Sequence, residues 1–264
     1  MSRINKTFQE LSNENKKALI PFITAGDPHP DMTLDLLNAL VDSGADMIEL
    51  GIPFSDPMAD GPVIQRASER ALANNVGIKK TIDLVKQFRV KNKNTPIILM
   101  GYANPIEAIG VDNFAKLIKE ADVDGVITVD YPPEESSKFV SLLHKNEIDT
   151  IFLLSPTTEN KRVKLIIQQA SGFIYYVSLK GVTGSSNINI KEVTDKVNNI
   201  RKFTELPISV GFGVRDAQTA KKVSSFADAV VIGSKIVLEI ENSKKVDLIT
   251  NIKKLMSEIK KAIQ

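Results

Sequence analysis

The sequence has no cysteine and only two histidines among its 264 residues. Without cysteine the chain cannot form disulfides, use a thiol nucleophile or bind metals and iron–sulfur clusters through thiolates, and this composition is typical of a reducing compartment. Residues 1–17 lack the apolar core of about 7 to 15 residues that marks a signal peptide. No apolar run approaches the roughly 18 residues needed to span a bilayer. We therefore expect a cytoplasmic protein that does not insert into membranes.

An excess of charge of either sign is also lacking. The net charge is +2, so no general electrostatic attraction to nucleic acid or to anionic membranes is expected. His29 lies in a predicted turn and His144 in a predicted helix, and both are interpreted as surface residues rather than catalysts. Any acid–base chemistry is therefore expected to use carboxylates, lysine or tyrosine.

Short apolar runs recur along the chain, with amphipathic segments between them. Continuous rather than alternating apolar runs indicate parallel strands that are buried on both faces. Eight such units in a chain of this length favour an α/β fold of the (β/α)8 type, a TIM barrel, over an open doubly wound sheet. The predicted strands are residues 18–24, 46–52, 96–102, 124–130, 149–155, 173–178, 207–212 and 228–234, and the predicted helices between them are 31–44, 63–75, 111–122, 133–146, 159–171, 190–203 and 215–226.

The chain has no Pro/Gly/Ser-rich linker, charge block or low-complexity tract. Residues 1–264 are therefore interpreted as a single barrel domain. An extra N-terminal helix over 2–15 and a C-terminal helix over 244–263 frame it. The lysines of the C-terminal helix are interpreted as its solvated outer face rather than as a basic binding surface.

The segment 49-ELGIPFSDPMADGP-62 is acidic and contains three prolines. In barrels of this kind the active site lies at the carboxyl ends of the strands. Because side chains alternate along a strand, Glu49 is expected to point into the barrel mouth while Ile48 and Leu50 face the helices. The alternative, a buried glutamate paired with a lysine, is disfavoured because no basic residue occurs between positions 47 and 65. A carboxyl group in that place should have a raised pKa, which suits a general acid–base.

Asp60 directly precedes a predicted helix. It is either the N-cap of that helix or a second carboxylate that reaches a substrate bound over Glu49. The long acidic approach to the helix favours the second interpretation. Asp56 is interpreted as a turn residue or a residue facing a partner.

Small residues follow the last three predicted strands, in 181-GVTGSSN-187, 211-GFGV-214 and 233-GS-234. Glycine lets backbone N–H groups approach an anion closely, and a helix N-terminus adds a favourable dipole. Barrels commonly bind phosphate in this region. The pattern therefore predicts a phosphorylated substrate. The sequence shows no Walker-type lysine, metal-ligand cluster or dinucleotide fingerprint beside it.

Aromatic and apolar residues near the strand ends predict a cavity above the barrel. Alternation points Tyr175 inward, either near Glu49 or into the core. Lys180 raises the alternative of a Schiff-base aldolase, although its glycine-rich loop favours a solvated lysine. The other residues predicted near this cavity are Phe22, Met100, Tyr102, Ile127, Val129 and Phe212.

Six segments taken in order, PFITAGDP, IELGIPFSDPMADGP, YANP, GVTG, VGFGV and VIGSKIV, closely resemble the α subunit family of tryptophan synthase. The resemblance covers essentially the whole chain, and the second segment is highly specific to that family. It implies a (β/α)8 barrel lyase that cleaves indole-3-glycerol phosphate to indole and glyceraldehyde 3-phosphate in tryptophan biosynthesis. It also implies no cofactor or metal in this chain and, as partner, a pyridoxal-phosphate-dependent β subunit in an α2β2 heterotetramer (α-β-β-α) that consumes the indole.

The resemblance also implies roles for individual residues. Glu49 matches the general acid–base, Asp60 the second catalytic carboxylate, which faces the indole nitrogen, and Tyr175 the aromatic residue beside them. Thr183 matches a loop threonine that meets the catalytic aspartate. The other positions matching substrate-binding residues are Phe22, Ile64, Met100, Tyr102, Ile127, Val129, Gly184, Phe212, Gly213, Ile232, Gly233 and Ser234. The positions matching the surface that faces the β subunit, in the loops after strands two and three, are Pro53, Phe54, Asp56, Pro57, Asn104 and Pro105.

One position departs from the family pattern. Many members carry an arginine where this chain has Leu179, so loop anchoring is expected to differ here. Two alternatives stay open: another phosphate-binding barrel enzyme, or a weakly catalytic activator of the β subunit. The first would place a catalytic lysine or a His–Asp metal set on the strands, which this sequence lacks. The presence of Glu49 and Asp60 argues against the second.

Overall fold

The computed structural model of the protein describes residues 1–177, 190–211 and 213–264. Eight parallel strands, each hydrogen-bonded to its neighbours in chain order, close into a barrel in which β1 pairs with both β2 and β8. The strands are β1 (Ala18–Thr24), β2 (Ile48–Gly51), β3 (Ile97–Gly101), β4 (Gly125–Thr128), β5 (Asp149–Leu154), β6 (Ile174–Val177), β7 (Ile208–Gly211) and β8 (Ala229–Ile232). The predicted (β/α)8 barrel is confirmed, and most strands are slightly shorter than predicted.

Helices fill the connections between the strands and both ends of the chain. In the described residues they are α1 (Arg3–Asn13), α2 (Pro30–Asp42), α3 (Pro62–Ala73), α4 (Ile78–Lys91), α5 (Ala103–Ile109), α6 (Val111–Glu120), α7 (Ser137–Lys145), α8 (Asn160–Gln169), α9 (Ile190–Ile200), α10 (Ala217–Ser224), α11 (Ser234–Asn242) and α12 (Leu248–Ile263). The sequence pattern predicts no separate α4, α5 or α11, because short connections join each of them to the preceding element. Within the described ranges, no helix has the length and apolar character needed to cross a membrane.

Side chains alternate between the inside of the barrel and the layer between sheet and helices. On β2, Ile48 and Leu50 belong to the outer layer, as predicted. Glu49 is in register with Phe22 on β1 and with Ile98 on β3, and Ile98 belongs to the inner cluster. The two-residue period of the strand therefore directs the Glu49 carboxyl inward.

Helix α1 closes the amino-terminal end of the barrel. Its buried Ile4 and Phe8 pack with the inward-facing residues, and the ring of Phe8 meets that of Phe173 edge-on at 5.7 Å. Arg3 at the start of α1 pairs with Asp124, the residue directly before β4. This end of the barrel is thus filled by apolar contacts and an ion pair, which leaves the opposite end for a ligand.

Candidate active site

Glu49 lies on the inner side of β2, two residues before the strand ends, and is 2% exposed. Loss of water around the carboxyl group, followed by the negative charge of Asp60, raises the pKa of Glu49 from 4.5 to about 8. Glu49 is therefore mostly protonated at neutral pH. A buried, protonated carboxyl group can donate a proton, and the carboxylate that results is a stronger base than an exposed one.

Asp60 lies in the loop between β2 and α3. Helix α3 has Gly61 as its N-cap and no side-chain N-cap hydrogen bond, so the N-cap interpretation of Asp60 is wrong. The Tyr102 hydroxyl instead donates to Oδ2 of Asp60 at 2.9 Å and accepts from the Ala59 N–H at 3.1 Å. Burial raises the pKa of Asp60, and the Tyr102 hydrogen bond opposes this change. The two carboxyl groups thus lie in different environments, as acid–base chemistry with two carboxyls requires.

Tyr175 points into the barrel from β6, as predicted, and is 4% exposed. Burial, with smaller contributions from the charges of Glu49 and Asp60, raises the pKa of Tyr175 well above its usual value. Its hydroxyl stays protonated over the physiological range. A Cβ on Gly211 of β7 would overlap this hydroxyl, so a residue without a side chain is required beside it.

Residues at the carboxyl ends of β1 to β4 line a small cavity. Six of the residues predicted from the sequence line it: Phe22, Asp60, Ile64, Met100, Tyr102 and Val129. Five lining residues were not singled out in the sequence: Thr24, Gly51, Ile52, Ser68 and Gly101. A local signal exists for two of them, since Thr24 follows Phe22 by two residues along β1 and Ser68 follows Ile64 by about one turn of α3.

Several residues predicted to bind substrate do not line this cavity. Ile127 belongs to the inner cluster of the barrel. Ile232 ends β8 with its side chain in the outer layer, so its side chain does not face the barrel interior. Thr183, Gly184 and Phe212, together with Leu179 and Lys180, lie outside the described residues.

The predicted phosphate region includes the start of α11. Gly233 is the N-cap of this nine-residue helix and Ser234 is its first residue. Gly213 has a φ of 80°, a left-handed conformation that favours glycine. The expectation that Gly213 is glycine only to admit an anion is therefore incomplete, because the backbone conformation by itself selects glycine.

The predicted partner-facing residues lie on two adjacent segments. Pro53, Phe54, Asp56 and Pro57 follow β2 without helix or strand structure. Their segment contacts the next one, since the rings of Phe54 and Tyr102 lie 5.3 Å apart. Asn104 and Pro105 were expected in a loop, but they lie in the first turn of α5. The expectation was wrong because proline is tolerated in the first turn of a helix, where its missing N–H has no partner to lose.

Metal ligands do not converge in the part of the chain that the structure describes, where no three His, Asp or Glu side chains are grouped. The titratable side chains described above at this end of the barrel are those of Glu49, Asp60, Tyr102 and Tyr175.

Fold and site together define a class: a (β/α)8 barrel with two carboxyl groups, those of Glu49 and Asp60, at the carboxyl ends of its strands. A family model described as tryptophan synthase alpha chain matches residues 8–264. The tryptophan synthase alpha chain of Janthinobacterium sp. (strain Marseille) is 54% identical over 100% of this chain and 99% of its own. That of Thiobacillus denitrificans is 55% identical, over 100% of this chain and 96% of its own.

Solved structures agree with the sequence comparisons. Tryptophan synthase subunit alpha from Legionella pneumophila str. Paris superposes with a TM-score of 0.93 at 43% identity, covering 100% of this chain and 98% of that one. An aminoacrylate-bound tryptophan synthase from M. tuberculosis gives 0.90 at 29% identity, with both chains fully covered. The chain belongs to the tryptophan synthase alpha chain family. It is a lyase of tryptophan biosynthesis that cleaves indole-3-glycerol phosphate.

Proposed function

We propose that Glu49 transfers the proton and Asp60 stabilises the charge in this cleavage. The observation that carries the proposal is the buried Glu49 carboxyl, with a pKa of about 8, near a second carboxyl on the overhanging loop. An acid with a pKa close to the working pH is efficient in both directions of proton transfer. Tyr175 stays neutral beside the two carboxyl groups and fills the barrel below them.

The reaction requires the indole ring to leave as a neutral molecule, which follows from protonation of its C3 atom. Protonated Glu49 donates this proton, and the Asp60 carboxylate stabilises the positive charge that develops at the ring nitrogen. The carbon–carbon bond between the indole ring and the glycerol phosphate chain of the substrate then breaks, as ionised Glu49 takes the proton of the hydroxyl group on that chain. One proton enters at C3 and one leaves the hydroxyl, so Glu49 returns to its starting state while indole and glyceraldehyde 3-phosphate are released.

The substrate is proposed to span the mouth of the barrel. Its phosphate would bind at Gly213, Gly233 and Ser234, where the N-terminus of α11 supplies N–H groups and a favourable dipole. The indole would lie in the cavity among the apolar side chains. These are Phe22, Ile64, Met100, Ile127 and Val129. Thr183, Gly184 and Phe212 are proposed to complete the site, and the Ile232 contribution is assigned to its backbone because its side chain faces the helices.

The partner is proposed to be a β subunit that carries pyridoxal phosphate, in an α-β-β-α tetramer in the cytoplasm. The whole chain would act as one barrel domain. The surface assigned to the β subunit is the loop from Pro53 to Pro57 with the start of α5 at Asn104 and Pro105. Because the same loop continues to Asp60, β binding should fix this carboxylate over Glu49, exclude water and raise the cleavage rate.

The test is indole release from indole-3-glycerol phosphate, measured with the pure chain, alone and with the cognate β subunit. Glu49→Gln and Asp60→Asn each remove one charge at nearly constant volume, so each should lower kcat by about two to four orders of magnitude with the fold intact. Glu258→Gln, on the exposed face of α12, is the matched control and should behave as the unaltered chain. Near-normal turnover of Glu49→Gln would show that the proton-transfer assignment is wrong. An unchanged rate after β binding would refute the coupling.

A further inference from the structure

Thr24 ends β1, directly above Phe22 on the same side of the strand. The residue is 1% exposed, and its Oγ1 is buried without a hydrogen-bond partner among the described residues. A buried hydroxyl group without a partner costs about 1 to 3 kcal/mol of folding free energy. Such a group in a native structure requires an explanation, and a role at a catalytic site, with a partner that binds there, is one of them.

The position of Thr24 indicates what that partner is. Three other buried side-chain atoms in the described residues lack partners, on Thr128, Asp149 and Tyr176, but none of these residues lines the cavity. Thr24 does line it, together with Asp60. The unpaired hydroxyl is therefore located where the substrate ring and the charge-stabilising carboxylate meet.

The residues that line the cavity limit which group can be the partner of the Thr24 hydroxyl. Its lining is mostly apolar, and its charged group is the Asp60 carboxylate. Oδ2 of Asp60 accepts from the Tyr102 hydroxyl, whose oxygen also accepts from Ala59. Among the described residues, this leaves Oδ1 of Asp60 as an acceptor for a second hydroxyl donor.

We propose that Thr24 is a positioning residue for Asp60, whose hydroxyl donates to the Asp60 carboxylate, directly or through one water, when substrate fills the cavity. With Tyr102 on one oxygen and Thr24 on the other, the carboxylate is held in one orientation toward the ring nitrogen. Hydrogen bonds to a charged group contribute more than those between neutral groups. The proposal rests on the charge-stabilising role proposed for Asp60 above.

The experiment compares Thr24→Val, which replaces the hydroxyl with a methyl group, with Thr24→Ser, which keeps it. Thr128→Val is the matched control, because Thr128 also has a buried unpaired hydroxyl at a strand end but does not line the cavity. Cleavage of indole-3-glycerol phosphate is measured with the full chain in complex with its β subunit, and unfolding of the chain alone is followed in urea.

Thr24→Val is expected to lower kcat about ten- to a hundredfold with little change in KM, because the bond acts on the charge formed in the transition state. Its stability should be unchanged or higher, since an unpaired buried hydroxyl has been removed. Thr24→Ser should restore most of kcat, and Thr128→Val should leave kcat unaltered. A change of activity opposite in direction to the change of stability is not expected of a purely structural residue.

Three results would overturn the inference: wild-type kcat in Thr24→Val, an equal loss in Thr128→Val, or a loss that follows destabilisation. Asp60→Asn is measured beside Thr24→Val and Thr128→Val, so that failure of the role proposed for Thr24 can be distinguished from failure of the role proposed for Asp60. If Asp60→Asn keeps wild-type turnover, the role of Asp60 fails and this inference fails with it. If Asp60→Asn is inactive while Thr24→Val turns over normally, only the role of Thr24 is wrong.

Discussion

Two buried carboxyl groups lie at opposite ends of the barrel, Asp124 at the foot of β4 and Glu49 near the top of β2. Burial raises the pKa of both. At Asp124 the guanidinium groups of Arg89 and Arg3, at 2.6 and 2.5 Å, and the backbone N–H of Ile97 oppose that effect. Glu49 has no ion pair among the described residues, and the charge of Asp60 raises its pKa further.

The difference separates a carboxyl group that holds the barrel together from the one that we propose performs its chemistry. An ion pair fixes a carboxylate in its charged form and joins elements that are distant in sequence. Arg3 of α1, Arg89 of α4 and Asp124 therefore tie the closed end together. A carboxyl that must gain and lose a proton cannot be held in one state, and the unpaired Glu49 suits that task at a cost in stability.

The largest effect that would test the comparison of Glu49 with Asp124 is on how the free energy of unfolding depends on pH. Because the pKa of Glu49 is about 8 in the folded chain against 4.5 as its ordinary value, its contribution is fully present below pH 4.5 and is lost as pH rises to about 8. The loss is on the order of 5 kcal/mol, at about 1.4 kcal/mol per pKa unit. Glu49→Gln should therefore become increasingly more stable than the unaltered chain from pH 5 to pH 8.5.

Urea unfolding at several pH values measures this change. Glu258→Gln, an exposed substitution on α12, is measured beside it as the control. If the difference between Glu49→Gln and the unaltered chain is constant with pH, Glu49 is not held protonated by its surroundings and the comparison with Asp124 breaks.

A smaller effect on stability is expected at the closed end. Asp124→Asn removes the carboxylate that lies 2.6 Å from the Arg89 guanidinium, 3% exposed on its side chain, and leaves only the longer pair with Asp122 at 3.8 Å. It should lower the free energy of unfolding by about 3 kcal/mol. The kcat of the folded fraction should be retained, because this end is remote from the cavity. Asp112→Asn, which breaks the exposed pair with Lys138 at 3.8 Å, should change stability by less than about 0.5 kcal/mol. A reduced kcat in fully folded Asp124→Asn would contradict the division between the two ends.

The smallest effect concerns Asp60. Tyr102→Phe removes the hydroxyl that donates to Asp60 and accepts from Ala59, and it should lower kcat about tenfold with a small change in stability. Tyr131→Phe provides the control, since it removes a hydroxyl that donates to the exposed Glu107 at 2.6 Å. Equal kcat values for the two variants would show that the Tyr102 bond does not position Asp60.

The parts of this site that could be predicted from the sequence are those set by local rules. The alternation of side chains placed Glu49 and Tyr175 inside the barrel, and the order of strands and helices indicated the fold. The Tyr102–Asp60 bond joins residues 42 positions apart, and the Arg3–Asp124 pair joins residues 121 positions apart. No local pattern specifies such pairs, because they form only when the sheet closes.

Thr24 is a second example of what a sequence pattern can and cannot predict. Its place on the inner side of β1 follows from alternation with Phe22, so its direction was predictable. Its lack of a hydrogen-bond partner among the described residues was not predictable, because that depends on every group brought near it by β2, β3 and α3. Absence of a contact is a property of the folded molecule, and a sequence pattern gives no sign of it.

The closure of the barrel through β1 and β8 has a consequence for synthesis on the ribosome. Strand β1 is among the first elements translated, but its partner β8 begins only at Ala229. Until then one edge of β1 stays open, and the apolar face of α1 lacks the ring of Phe173. The nascent chain therefore carries an unpaired strand edge and an exposed apolar helix face through most of its translation. Exposed edges and apolar surfaces of this kind promote aggregation, which chaperones prevent.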